Sequence, residues 1–150
     1  MIQRIANPAD ADVLSELALR SKAHWGYSPE FMEVCQHELI ITPQDCMSGL
    51  IVVAEENDAI MGFYQLAGTP PKGKLDDLFV DPAYMSKGLG SALFKGAIKH
   101  ARRLGFTSLD IHSDPHAEAF YLHMGAQRVG DLPSGSIPGR TLPLLEVAIT

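Results

Sequence analysis

Residues 75–94 read LDDLFVDPAYMSKGLGSALF. The apolar positions from Leu75 to Val80 predict a half-buried strand, and the stripe Leu89, Leu93, Ala97, Ala101, Leu104 predicts a helix over residues 88–104 that Gly105 ends. Between the two lies a glycine turn. Gly88 and Gly90 let the backbone come close to a ligand, the unpaired N–H groups of the following helix favour a pyrophosphate, and Lys87 adds a mobile positive charge. A tight turn with no ligand fits the glycines equally well. The stretch is not a phosphate loop of the Gly-Lys-Ser/Thr kind, and it lacks the third glycine of a dinucleotide fingerprint.

Upstream, Asn7-Pro8, Ser28-Pro29 and Thr42-Pro43 each place a capping residue before a proline, as does Asp114-Pro115 downstream. That order marks helix starts, because proline suits the first helical position and the residue before it caps free N–H groups. Two helices are expected over residues 8–40. Residues 50–54 and 60–66 read as a hairpin about the turn 56–58, and residues 69–73 make another turn before the strand at 75–80. Residues 108–111 read as a strand and 115–124 as a short helix. Two last strands, around Arg128 and over 144–149, are joined by the loop 133–140. The expected class is α+β with a mostly antiparallel central sheet flanked by helices, in one domain spanning residues 1–150.

Composition narrows the function. The 150 residues are 46% hydrophobic, enough for one packed core, and the formal net charge is -6. No basic stripe interleaved with aromatics is present to attract a phosphate backbone, so nucleic acid is not expected as a partner. No apolar run approaches the roughly 20 residues that span a bilayer, and MIQRIANPAD lacks the apolar centre of a signal peptide, so a cytoplasmic protein without membrane contact is expected. Cys35 and Cys46 have no metal-ligand spacing and read as small buried thiols.

A second motif turns these readings into a family resemblance. Asp114-Pro115-His116-Ala117-Glu118-Ala119-Phe120-Tyr121, followed by Met124-Gly125-Ala126, resembles the Asn-Pro-x-Ala-x-x-Leu/Phe-Tyr helix of the GNAT superfamily of N-acetyltransferases. Met85-Ser86-Lys87-Gly88-Leu89-Gly90 resembles that family's coenzyme A loop, Arg/Gln-x-x-Gly-x-Gly/Ala, with Val80-Asp81-Pro82 before it as the strand end. The two stand in family order, and the elements from 1 to 150 follow its topology. Met85 replaces the usual Arg or Gln, which implies a weaker grip on phosphate. Asp114 replaces the usual Asn; it can accept a hydrogen bond from the pantetheine arm but not donate one, and it can equally cap a helix.

The resemblance implies acetyl-coenzyme A as cosubstrate, held by Leu78, Phe79, Val80, Met85, Ser86, Lys87, Gly88, Leu89, Gly90, Ser91, Asp114 and Tyr121. It implies transfer of the acetyl group to the primary amine of a small molecule by direct attack in a ternary complex. An amine must shed a proton to attack a thioester, and the departing thiolate is stabilised by gaining one. Asp in a strand is disfavoured, so Asp76 and Asp77 call for a reason. Asp76 is expected to act as base or to polarise a water that does, Tyr121 to protonate the sulfur, and a main-chain N–H near Val80 to stabilise the oxyanion. Asp77 is the alternative acid, or binds the amine's charge.

Trp25 and Tyr27 are expected at the acceptor wall, by cation–π contact or simply as aromatics covering the sheet edge. Arg140 either pairs with a substrate carboxylate or lies in solvent. The histidines open a rival chemistry, since His116-x-Glu118 matches part of the zinc deaminase signature. The Pro-Cys-x-x-Cys half is missing, and no metal is expected. A coenzyme A-binding sensor of the same fold, without turnover, stands as the alternative function. The resemblance leaves room for a homodimer.

Overall fold

The computed structural model describes residues 1–135 and 137–150; Ser136, in the expected loop 133–140, lies outside the described residues. In chain order the elements are β1 (Ile2–Ile5), α1 (Ala11–Ala23), α2 (Pro29–Cys35), α3 (Pro43–Met47), β2 (Ile51–Glu56), β3 (Ala59–Thr69), β4 (Lys72–Val80), α4 (Leu89–Leu104), β5 (Ser108–His112), α5 (Glu118–His123), β6 (Gln127–Pro133) and β7 (Thr141–Ala148). Hydrogen bonding orders the strands β1-β2-β3-β4-β5-β7-β6 in a seven-stranded sheet. β4 and β5 run parallel, and the pairs β1–β2, β2–β3, β5–β7 and β6–β7 are antiparallel. The class is α+β, as the patterning predicts. Internal contacts divide the chain into two compact units, Met1–Gln65 with Asp77–Gly96, and Leu66–Asp76 with Ala97–Thr150.

In the first unit the caps form as the cap-and-proline pairs predict. The Asn7, Ser28 and Thr42 side chains accept from backbone N–H groups at the starts of their helices, and Asn7 and Thr42 complete reciprocal capping boxes with Asp10 and Asp45. Leu14, Leu17 and Ala18 of α1 pack with Ile51 and Val53 of β2, Phe63 of β3 and Cys46. Each of the Leu, Ile, Val and Phe side chains so removed from water contributes about 1.5–3 kcal/mol. Asn57 and Asp58 take left-handed backbone angles, φ 53° and 64°, in the tight turn between β2 and β3. Arg4 of β1 joins three elements, bonding Asp10 at 2.9 Å and Glu55 at 3.1 Å.

Two side chains reach the first half of α4 from neighbouring strands. Gln3 Nε2 donates to the Ala92 carbonyl at 3.1 Å, and the Tyr64 hydroxyl to the Gly96 carbonyl at 3.4 Å. A Cβ on Gly96 would press on the end of the exposed Gln3 side chain, which can swing aside. Gly62 is needed, because its Cβ would lie 2.7 Å from the Phe79 carbonyl oxygen, a backbone atom.

In the second unit the faces of the sheet separate by chemistry. Gly73, Leu109 and Val147 are in register, with Leu75, Ile111 and Leu145 on the same buried face. A Cβ on Gly73 would sit 2.5 Å from the Phe106 ring. The other face carries Lys72, Lys74, Asp76, Asp110 and Glu146. Lys72 pairs with Asp110 at 3.6 Å and Glu146 at 3.4 Å, and Lys74 with Asp76 at 3.0 Å.

Two elements differ from the sequence reading. β1 is a strand that the patterning does not announce, since its four residues pair only with β2 and leave Ile2 and Ile5 exposed. The last short helix begins at Glu118, not at 115. The Asp114 carboxylate accepts from His116 N at 2.9 Å and its carbonyl from Ala117 N at 2.9 Å, so a turn precedes the helix.

Candidate functional site

The chain leaves β4 at Val80 and is fixed by Asp81. Its N–H donates to the Met61 carbonyl at 2.8 Å, its carboxylate accepts from Ala83 N at 3.1 Å, and the same carboxylate takes the Arg20 guanidinium of α1 at 2.7 Å. A single 3-10 turn, Pro82–Tyr84, follows. Ser86 then adopts φ 65° and Gly88 φ 78°, two left-handed residues that reverse the backbone into α4. The first N–H captured inside the helix is that of Ala92, which donates to the Gly88 carbonyl at 3.1 Å. Those of Leu89, Gly90 and Ser91 belong to the first turn, where a helix has no internal acceptor to offer.

α4 is 16 residues long and its N-terminus carries a partial positive charge. A Cβ built on Gly88 would meet nothing within 4 Å, so the space before the turn is open, and Ser86 and Lys87 are exposed beside it. A diphosphate fits this surface: an electropositive backbone, an approach free of side chains and one mobile lysine. Met85 is half-buried and brings no charge. Of the preceding residues, Phe79 packs its ring 5.8 Å from Phe63, while Asp77, Leu78 and Val80 are half-buried.

The remaining site candidates of the second unit lie on β4, α5 and the loop before β7. Asp76 is exposed and held by Lys74. Tyr121 is 7% exposed on α5, with its ring edge-on to Phe120 at 5.2 Å and its carbonyl accepting from Ala126 N at 3.0 Å. Asp114 meets two partners, His116 Nδ1 at 3.1 Å and Arg140 at 3.8 Å. Arg140 is therefore half-buried beside a carboxylate. The loop that carries it is closed by Ser134 N donating to the Arg140 carbonyl at 2.7 Å.

At the expected acceptor wall the aromatics have internal partners. Tyr27 stacks on Phe31 at 4.1 Å, and the Lys22 ammonium stands 5.7 Å from the Tyr27 ring centre. Trp25 is 40% exposed, with His24 edge-on at 6.1 Å. The Tyr27 ring thus has contacts within the protein, with Phe31 and Lys22. Sequence reasoning gave no catalytic part to His112, which stands at the surface of β5. Partial burial and then the Lys74 charge lower its pKa from the ordinary value, against the opposing pull of Asp110 and Asp76. The spacing Lys72-x-Lys74-x-Asp76 and Asp110-x-His112 is the available signal, since residues two apart share a strand face.

Among the described residues, no group of three or more His, Cys, Asp or Glu is arranged to hold a metal ion. Likewise, none of their helices is long and apolar enough to cross a membrane.

Residues 18–126 match the family described as Acetyltransferase (GNAT) family. The chain belongs to that family. It is 35% identical over 69 residues to a mycothiol acetyltransferase of Propionibacterium freudenreichii subsp. shermanii, an alignment covering 43% of this chain and 22% of that protein. The match thus spans about a fifth of that relative's length. In solved structures the chain resembles the PaiA N-acetyltransferase of Thermoplasma acidophilum in complex with coenzyme A, with TM-score 0.80, 21% identity and 98% of both chains covered. It also resembles an aminoglycoside 6'-N-acetyltransferase complexed with coenzyme A, with TM-score 0.74, 19% identity, and 100% of this chain and 98% of that chain covered. A third is the ribosomal-protein-S18-alanine N-acetyltransferase of Escherichia coli, with TM-score 0.72, 18% identity, and 99% and 94% covered. At these identities the likeness is one of fold. Two of the three are named for an acceptor, an aminoglycoside and the alanine of a ribosomal protein, and these differ in class.

Proposed function

We propose that the protein transfers an acetyl group from acetyl-coenzyme A to the primary amine of a small molecule, by direct attack in a ternary complex. The observation that carries this reading is the turn between β4 and α4. Left-handed Ser86 and Gly88 open a side-chain-free approach to the first-turn N–H groups of a long helix, in a chain of the GNAT family. Residues 78–80 and 85–91 hold the cosubstrate, with Asp114 and Tyr121 along its pantetheine arm. Residues 1–150 work as one catalytic domain, and cytoplasmic location and a homodimeric state belong to the same proposal.

The reaction R–NH3⁺ + acetyl–S–CoA → R–NH–acetyl + HS–CoA + H⁺ asks for one group that removes a proton and one that supplies one. Asp76 directs the deprotonation of the ammonium, and the Tyr121 hydroxyl protonates the departing thiolate, recovering its proton from the nitrogen that has been acylated. A main-chain N–H near Val80 stabilises the oxyanion. An acyl-cysteine is disfavoured by environment: both thiols are about 1% exposed, and burial raises the pKa of Cys46, away from the nucleophilic thiolate. Asp77, Trp25 and Tyr27 receive the amine. Arg140, oriented by Asp114, receives a carboxylate on the acceptor, which makes carboxylate-bearing amines the class to try first.

The test is transfer from radiolabelled acetyl-coenzyme A across a panel of lysine, glutamate, tyramine, glucosamine and spermidine. Amide product with one amine, formed without a burst, supports the reading. Tight coenzyme A binding with no transfer to any amine and no hydrolysis would replace the enzyme with a sensor.

A further inference from the structure

One charged row remains only partly used by this reading. β4 and β5 are paired over Lys72↔Ser108, Gly73↔Leu109 and Lys74↔Asp110, the last pair of their ladder. Two residues beyond that pair on each strand, Asp76 and His112 fall on the face of Lys74 and Asp110, and Asp76 is among the charges that act on the His112 ring. Both side chains therefore stand where this strand pair stops being bonded. Asp76 is held at 3.0 Å by the Lys74 ammonium, so its carboxylate is already engaged in an ion pair. An imidazole next to it suits the task better. We infer, on the reading given above, that His112 is the immediate acceptor of the amine's proton and that Asp76 stabilises the imidazolium so formed.

The surroundings of His112 agree with that division of labour. The charged groups facing the ring are Lys74 and Asp76 on β4 and Asp110 on its own strand, while β7 places the apolar Leu144 directly opposite. Burial and Lys74 favour the neutral ring, which carries a lone pair on one nitrogen, and the two carboxylates limit the cost of charging it. In the step itself the ammonium N–H bond breaks and its proton joins the ring lone pair. The freed amine lone pair forms the C–N bond, the C–S electrons leave with sulfur, and the second nitrogen proton replaces the one Tyr121 gives to the thiolate. His112 then returns its proton to water, which accounts for the single proton released.

The test has an arm that needs no turnover. Histidine ring signals of the whole protein are followed by NMR from pH 4.5 to 9, with His112 assigned by its loss in His112→Gln. Its pKa is expected below the ordinary histidine value, lower still in Asp76→Asn, where a stabilising charge is gone, and higher in Lys74→Met. With the best amine of the panel, His112→Gln is expected to lower kcat/KM by about 100-fold or more and to remove the acidic limb of its pH profile. KM for the amine should change less than kcat. A His112 titration unmoved by Asp76→Asn, or a His112→Gln enzyme with the parent's pH profile, overturns the inference. Thermal stabilisation by acetyl-coenzyme A, measured on the same samples, reports on the underlying functional reading independently of either result.

Discussion

Substituting Gly88 separates the fold from the site. Its φ of 78° is a left-handed conformation, which costs an L-residue with a Cβ about 1–2 kcal/mol. The added Cβ of Gly88→Ala meets nothing within 4 Å, so no packing cost is added. At about 2–4 °C per kcal/mol for a chain of this size, the melting temperature should fall by roughly 2–8 °C. Acetyl-coenzyme A at a hundred times its Kd stabilises the parent by about 2.7 kcal/mol, a rise of roughly 5–11 °C. Because the Cβ points into the open approach to the helix, Gly88→Ala should lose part of that rise and Gly88→Asp, which adds a negative charge, all of it. The assay is differential scanning fluorimetry with and without ligand. Gly62→Ala serves as contrast, since its Cβ would press on the Phe79 carbonyl at 2.7 Å and destabilise the protein by an overpacking cost of about 1–3 kcal/mol. A Gly88→Asp protein that keeps the full ligand-induced rise refutes the phosphate-site reasoning.

Other outcomes follow from the same geometry. Tyr121→Phe keeps the buried ring and deletes one hydroxyl, so turnover should drop by roughly 10- to 1000-fold with a melting temperature close to the parent's; steady-state kinetics beside calorimetry decides. Asp76→Asn should depress kcat more than coenzyme A affinity, and Asp77→Asn should act mainly on the acceptor's KM; the reverse pattern would exchange their roles. Asp10 has its pKa lowered, first by the Arg4 hydrogen bond, so its contribution to stability is present above the ordinary carboxylate value and is lost as pH falls through the lowered one. Urea unfolding should therefore show Asp10→Asn weaker than the parent at pH 7, by about 1–2 kcal/mol, with the gap closing below about pH 4.

The parts of the fold legible in the sequence are those set by neighbours along the chain. A capping side chain before a proline needs only local geometry, and Asn7, Ser28 and Thr42 each cap as their order predicts. The glycine turn and the helix after it are local in the same sense. β1 was not legible because an edge strand with exposed isoleucines has no burial pattern to read. At the site, the pairing of Asp114 with Arg140 and the nearness of His112 to Lys74 and Asp76 arise from strand register and loop closure, which a single sequence does not encode in its spacing. The Tyr27 ring illustrates the converse. Its aromatic character is legible, but that it stacks on Phe31 with Lys22 close to both rings depends on how α1 passes into α2.

A stiff rod such as α4 retains two soft motions, spinning about its axis and sliding along it. Gln3 and Tyr64 grip it at the carbonyls of Ala92 and Gly96, one helical turn apart, from two different strands. A spin of about 20° would carry a backbone atom on a radius of about 2.3 Å through roughly 0.8 Å, enough to spoil both hydrogen bonds. The orientation of the leading N–H groups is consequently set when the chain folds, and an arriving diphosphate does not have to order them. On the proposed reading, affinity for such a ligand depends partly on residues 3 and 64, which lie outside the glycine turn and which a search for contacting side chains would pass over.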